Sequence, residues 1–264
     1  MNSENKTITL TFGDVGENHV GMEKIGKLAE DGYTLKDLKK FQKFFKDNNC
    51  ETELVFLHKE LKGITKISDN KAYLLKVKNG VDCLLAESEK NSNDIFKEQT
   101  LLEPDKKAFM YGRVVNKIAR YNLCFGNKSQ KAEYEKGKGT IIAFNKVPLT
   151  NHIKNKLEEL DSRQQFICEG NYYYDVDKCY ISEHGDSERR KVIGIRLGES
   201  FPLFYQWYYQ GKPVGNRLKF IFNSGDIYFM SAKAVGYDWK SKSKYTLRHA
   251  AGLEKNIKKN KFSN

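Results

Sequence analysis

Two separated stretches of this chain carry side chains that could share a metal ion. His184-Gly185-Asp186 sets an imidazole and a carboxylate two residues apart. On a strand, residues i and i+2 face the same side, so the two can converge on one cation. A second imidazole would complete a set of two histidines and one carboxylate, which fills one face of a metal and leaves other positions open for a chelating cosubstrate and dioxygen. The sequence holds five histidines. His19 lies in a polar loop, Glu17 to Gly21, without a nearby partner and reads as a capping or packing residue. His58 and His152 fall on helix-like or polar stretches. His249 ends a late β-type run, Tyr245-Thr246-Leu247-Arg248-His249, about 65 residues beyond His184. The predicted metal-binding and catalytic set is therefore His184, Asp186 and His249.

The elements that must position these residues belong to two differently patterned parts. From about residue 108 onward, short β-type runs separated by polar turns dominate: Phe109 to Val115, Ala119 to Phe125, Gly139 to Phe144, Phe166 to Tyr174, Val192 to Leu197, Leu203 to Tyr209, Leu218 to Phe222 and Ile227 to Met230. A single helix, Leu149 to Leu160, interrupts them. Many short strands with one helix predict a barrel or a jelly roll of two facing sheets. The first 105 residues read as a small α/β unit. Thr7 to Phe12 alternates as a strand, Met22, Ile25, Leu28 and Ala29 repeat at helical spacing, and Thr34 can cap a helix striped by Leu35, Leu38, Phe41, Phe44 and Phe45. Leu54 to Leu57, Tyr73 to Leu75 and Val81 to Leu85 read as further strands. The predicted fold class is α+β, with a small α/β domain over 1–105 and a barrel or jelly-roll domain over 106–264.

Around the histidines the sequence resembles the AlkB-like oxygenases, collinearly over about 109–249. Gly170-Asn171-Tyr172-Tyr173-Tyr174-Asp175, then Ile181-Ser182-Glu183-His184-Gly185-Asp186-Ser187-Glu188-Arg189, is similar to that family's N-R-Y-x-D followed by I-G-x-H-x-D-D-E-R. Val192 to Gly198 resembles the strand that follows, and Asn223 to Met230 the next hairpin. The resemblance implies a C-terminal double-stranded β-helix holding Fe(II), with 2-oxoglutarate and dioxygen as cosubstrates. It implies that Asn171 and Tyr173 contact 2-oxoglutarate and that Glu188 meets the substrate base. Phe125, in the place of the substrate-covering segment, and Trp239, in a polar loop among lysines, are the expected stacking residues. Trp207 is a further candidate for stacking. Two departures stand out. The family places arginines after its distal histidine to clamp the cosubstrate carboxylate, yet no Arg follows Arg248. Lys259, about ten residues beyond His249, is the expected substitute. The second departure is a lengthened loop, Val235 to Lys244.

Charge divides as unevenly as pattern does. Residues 1–105 hold 16 Lys against 19 acidic residues, whereas 106–264 hold 30 Lys and Arg against 15. A basic surface of this kind suits a polyanion, because each neutralised phosphate releases counterions. The expected activity is oxidative demethylation or hydroxylation of a nucleobase, with nucleic-acid repair as the setting and a flipped or single-stranded base as substrate. Hydroxylation of a protein side chain, or nucleic-acid binding without catalysis, are the alternatives. The five cysteines form no C-x-x-C pair, which argues against a disulfide framework and a zinc site. No stretch approaches the ~18 apolar residues of a membrane span. With no signal-like start, an intracellular location in cytoplasm or nucleus is expected.

Overall fold

The computed structural model describes residues 5–259. In chain order its elements are β1 (Thr7–Gly13), β2 (Val15–Glu17), β3 (Lys24–Gly26), α1 (Leu35–Asp47), β4 (Thr52–Phe56), β5 (Tyr73–Val77), α2 (Gly80–Leu85), α3 (Ser92–Thr100), β6 (Lys107–Met110), β7 (Arg113–Asn116), β8 (Tyr121–Gly126) and β9 (Ile141–Ala143). Then follow α4 (Pro148–Leu160), β10 (Ile167–Tyr173), β11 (Tyr180–His184), β12 (Val192–Gly198), β13 (Phe201–Tyr209), β14 (Lys212–Phe222), β15 (Ile227–Met230), α5 (Ala232–Val235), β16 (Thr246–Gly252) and α6 (Glu254–Lys259).

Eight strands form one sheet in the order β4-β5-β15-β12-β1-β10-β8-β9, and four form a second in the order β11-β16-β13-β14. β2–β3 and β6–β7 are separate hairpins. The fold is α+β and mostly sheet. The period-two alternation of the central strands decides what lies on each side of the large sheet. Ile8, Leu10 and Phe12 of β1, with Ile193, Ile195 and Leu197 of β12, pack in one core with Leu38, Phe41 and Phe45 of α1 and Ile153 and Leu157 of α4. Each such side chain stabilises by ~1.5–3 kcal/mol when fully buried. On the opposite face Leu74, Val192, Tyr228 and Met230 meet Leu203, Tyr205, Trp207 and Leu247 of the small sheet. The layers are thus helices, large sheet and small sheet.

Local signals act as expected at α1, where Thr34 and Asp37 form a reciprocal capping box, and at α4, which begins on Pro148. Three expectations are corrected. Residues 1–105 do not build a separate sheet: β1 lies between β12 and β10, and β5 pairs with β15. Strand pairing across the whole chain thus erases the boundary suggested by composition. Val81 to Leu85 is helix α2, because Val81, Leu84 and Leu85 bury one helical face. Met22 to Ala29 forms β3 and a loop instead of a helix. There Gly26 sits at φ +93°, and Asp14 captures the chain by accepting the Lys27 N–H on its carbonyl and the Ala29 N–H on its carboxylate.

Candidate metal centre

The site forms where β11 and β16 lie side by side. His184 stands directly opposite His249 in their register, with ring centroids 4.4 Å apart, and Tyr205 of β13 stands opposite His249 on its other side. Asp186 follows β11 by two residues, and its backbone N–H donates to the Val235 carbonyl at 3.0 Å. That bond ties the His-Gly-Asp turn to α5 and its loop. The contact requires a glycine: a Cβ on Gly185 would collide with the Gly236 carbonyl and lie 2.7 Å from the Trp239 Cβ. Gly236, itself at φ +75°, turns the chain at the end of α5. The lengthened loop before His249 therefore has a packing role against the metal motif.

His184 Nε2 lies 3.4 Å and His249 Nε2 3.6 Å from the same Asp186 oxygen, Oδ1. One donor atom from each of the three residues falls within 4.8 Å of the others. Two cis ligands at ~2.1 Å from a metal stand ~3 Å apart, so small shifts bring this set into range. The His184 Nδ1–H donates to the Ser182 carbonyl at 2.7 Å, which leaves the Nε2 lone pair facing Asp186. Burial, then the neighbouring His184, pushes the His249 imidazole below its usual pKa and favours the neutral form a metal needs. Burial opposes ionisation of Asp186, but the Arg189 guanidinium and the two imidazoles outweigh it and hold its carboxyl well below the usual range. Asp186 Oδ2 is turned toward Arg189 Nε, 3.6 Å away. Arg189 in turn is paired with Glu169 and, at 3.0 Å, with Glu188. Two lone-pair imidazoles and an ionised carboxylate are the donors a divalent transition metal takes, so the residues fit such an ion. An oriented first ligand and a salt-bridged carboxylate are the outer contacts metal sites use.

These residues open onto a cavity of about 460 Å³ between the sheets. Of the positions predicted from sequence, Asn171, Tyr173, Glu188 and Trp239 line it together with the three candidate donors. The Asn171 amide is held by its neighbours: Oδ1 accepts from Arg120 and Asn122, and Nδ2 donates to Glu169. Burial raises the Tyr173 hydroxyl pKa, and the ring packs on Phe201 at 4.6 Å. Burial, then the Asp186 charge, pushes the Glu188 carboxyl up to about 7. Trp239 is half-buried, with the Arg248 guanidinium 5.2 Å and the Lys240 ammonium 5.5 Å from its ring.

Phe125 is a correction. Its position in β8 turns it, with Leu123, into the core beneath the helices. It does not line the cavity. Trp207 is likewise a core residue, fully buried with its Nε1–H donating to the Leu57 carbonyl. The Lys259 side chain lies outside the described residues. His19, read as a packing residue, lines the cavity.

Several cavity residues were not singled out from sequence: Thr9 and Thr11 of β1, Arg120, Glu169 of β10, Arg189, and Arg196 of β12. A signal for two of them existed. Glu169 and Arg196 are charged residues inside otherwise apolar β-runs, I-C-E-G-N and V-I-G-I-R-L-G, where a lone charge must find a partner or a ligand. Thr9 and Thr11 carry no such signal, since alternating threonines are ordinary strand residues.

No protein-family model matches the sequence. The chain is 50% identical over 258 residues to "Uncharacterized protein R156" of Acanthamoeba polyphaga mimivirus, an alignment that covers 98% of this chain and all of that protein. Similarity of that degree along both full lengths means that this chain belongs to the same family as the mimivirus protein R156.

Proposed function

We propose that the protein is an Fe(II)- and 2-oxoglutarate-dependent oxygenase that acts on nucleic acid. The observation that supports this reading most is the convergence of His184, Asp186 and His249 at the edge of a polar cavity between two sheets. The resemblance of Asn171 to Arg189 to the AlkB-like motifs supports it too. We read the facing sheets as a widened double-stranded β-helix. Its two halves would be β10-β1-β12-β15 and β11-β16-β13-β14, with β4, β5, β8 and β9 extending the first.

His184, Asp186 and His249 would hold the iron. Bound there, it would couple the reduction of dioxygen to the oxidation of 2-oxoglutarate to succinate and carbon dioxide and of a substrate C–H to C–OH; a hydroxylated N-methyl group would then leave as formaldehyde. The chain's own residues position and exclude. The Ser182 carbonyl fixes the His184 tautomer, Arg189 keeps Asp186 ionised and turned toward the imidazoles, and the buried Tyr205 and Tyr228 wall off water. Nucleic acid is the substrate class we favour because the charge excess lies wholly in 106–264, and because Trp239 and Lys240 set an aromatic face and a cation at the cavity, with Arg248 over the same ring. The deciding experiment is iron-dependent conversion of 2-oxoglutarate to succinate by the wild type and by His184→Ala. Conversion that is equal in both removes the reading.

A further inference from the structure

Among the described residues, no ion pair neutralises the charge of Arg196. It is the second-largest fully buried side chain among the described residues, 1% exposed, and it lines the cavity that holds the metal residues. One guanidinium nitrogen donates to the Thr9 hydroxyl, and Nε has no hydrogen-bond partner. The group lies 5.0 Å from the Phe201 ring centroid and 5.9 Å from that of Tyr173. Among the described residues no carboxylate forms an ion pair with it. Asp226, the acidic residue whose charge reaches it, accepts instead from the backbone N–H groups of Asn79 and Asn223. The carboxylates that line the cavity are committed elsewhere: Glu17 accepts from the Gly21 N–H, Glu169 and Glu188 pair with Arg189, and Asp186 faces Arg189 and the two imidazoles. Leaving a buried cation unpaired is costly, and a planar guanidinium is suited to a carboxylate in two-pronged contact.

We propose that Arg196, with the Thr9 hydroxyl, is the anion-binding post of this cavity and holds the remote carboxylate of a small oxo-acid whose other end occupies the metal centre. The assignment rests on the oxygenase reading above and locates its cosubstrate anchor. It moves that anchor from the stretch after His249, where Lys259 was expected, to the middle of the large sheet. The topology accounts for the move. β16, which carries His249, is followed by α6, and the place between β10 and β12 is taken by β1, which brings Thr9 beside Arg196 in strand register. Thr9↔Arg196 are direct partners there. Neutralising the guanidinium with one ligand carboxylate makes the post selective: an oxo-acid lacking the remote carboxylate leaves the same buried charge unpaired.

The test uses the full chain loaded with manganese(II), which does not turn over, and calorimetric titration with 2-oxoglutarate and with pyruvate, the same chelating head without the remote carboxylate. The wild type is expected to bind 2-oxoglutarate roughly 30-fold or more tightly over pyruvate, the range of a charge-assisted hydrogen-bonded contact. In Arg196→Met the preference should collapse to within about 3-fold while pyruvate and manganese(II) affinities hold, and Arg196→Lys should restore part of it. Thr9→Val, which leaves the charge and the strand in place, should reduce the preference several-fold and decides the matter should Arg196→Met not fold. An undiminished preference in Arg196→Met, or in Thr9→Val and Arg196→Lys together, overturns the assignment and leaves the oxygenase reading intact. A wild type that binds manganese(II) but neither oxo-acid removes that reading, and this assignment with it.

Discussion

His184 and His249 are direct cross-strand partners on β11 and β16, and their rings meet at 4.4 Å with Asp186 Oδ1 between their Nε2 atoms. Because the pairing is set by backbone register, the centre is built into the small sheet rather than carried on a mobile loop. A one-residue slip of β16 would turn His249 to the opposite face.

Removing any one of the three donors should empty the centre. His184→Ala, His249→Ala and Asp186→Asn are each expected to lower iron(II) affinity by more than the ~10–100-fold typical of outer-contact changes. Metal content after desalting, measured by mass spectrometry, checks this. A chelator should stop succinate formation by the wild type, and added iron(II) should restore it.

Gly185→Ala should damage the centre although it alters no donor. The added methyl meets the Gly236 carbonyl and the Trp239 Cβ, both anchored in the loop after α5. Expected are ~1–3 kcal/mol of lost stability from overpacking and a weaker metal site, read by denaturant melts and metal titration. Unchanged values in both would show that the loop yields freely.

Phe125→Ala should cost stability by ~3–5 kcal/mol, as a large core truncation does, without altering metal binding. Its ring is buried beneath the helices and absent from the cavity. Urea melts and a metal titration on the folded variant separate a packing role from a substrate-covering one.

Lys117 gives the fold a pH signature separate from the candidate donors. Burial pushes its ammonium down to about 8, although it donates to the Asn18 carbonyl and to the side chains of Asn18 and Asn122. An unfolded lysine titrates near ~10.4, so between about pH 8 and 10 the unfolded chain holds more protons at this site and stability rises with pH. Relative to Lys117→Met, the wild type should gain ~1–3 kcal/mol from pH 7.5 to 10. Denaturation midpoints at the two pH values test this, and parallel pH profiles for both proteins would refute it.

Single-stranded oligonucleotide binding should weaken with salt, and replacing Lys240, Lys242 and Lys244 by Gln should flatten the log–log salt slope by ~2. Trp239→Ala should weaken binding with little change in slope, since stacking is insensitive to counterions. Absent or salt-independent binding of the wild type points to a different substrate class.

The residue types and their local spacing already determined the candidate donor pair His184 and Asp186, the cap of α1, the helix α4 and the strand-rich character of 106–264. Each of these rests on contacts within a few residues or on a period the sequence displays directly: His184 and Asp186 are an i, i+2 pair, and Thr34 meets Asp37 across one turn. Tertiary structure decided the rest. That β1 lies between β10 and β12, that 1–105 shares the large sheet, that Phe125 faces the helices while Asn171 faces the cavity, and that Thr9 meets Arg196 all follow from pairing between strands distant in sequence, by more than 150 residues for β1. Local pattern cannot carry such information, because an alternating strand presents two faces and only its partners determine which one becomes core and which becomes site.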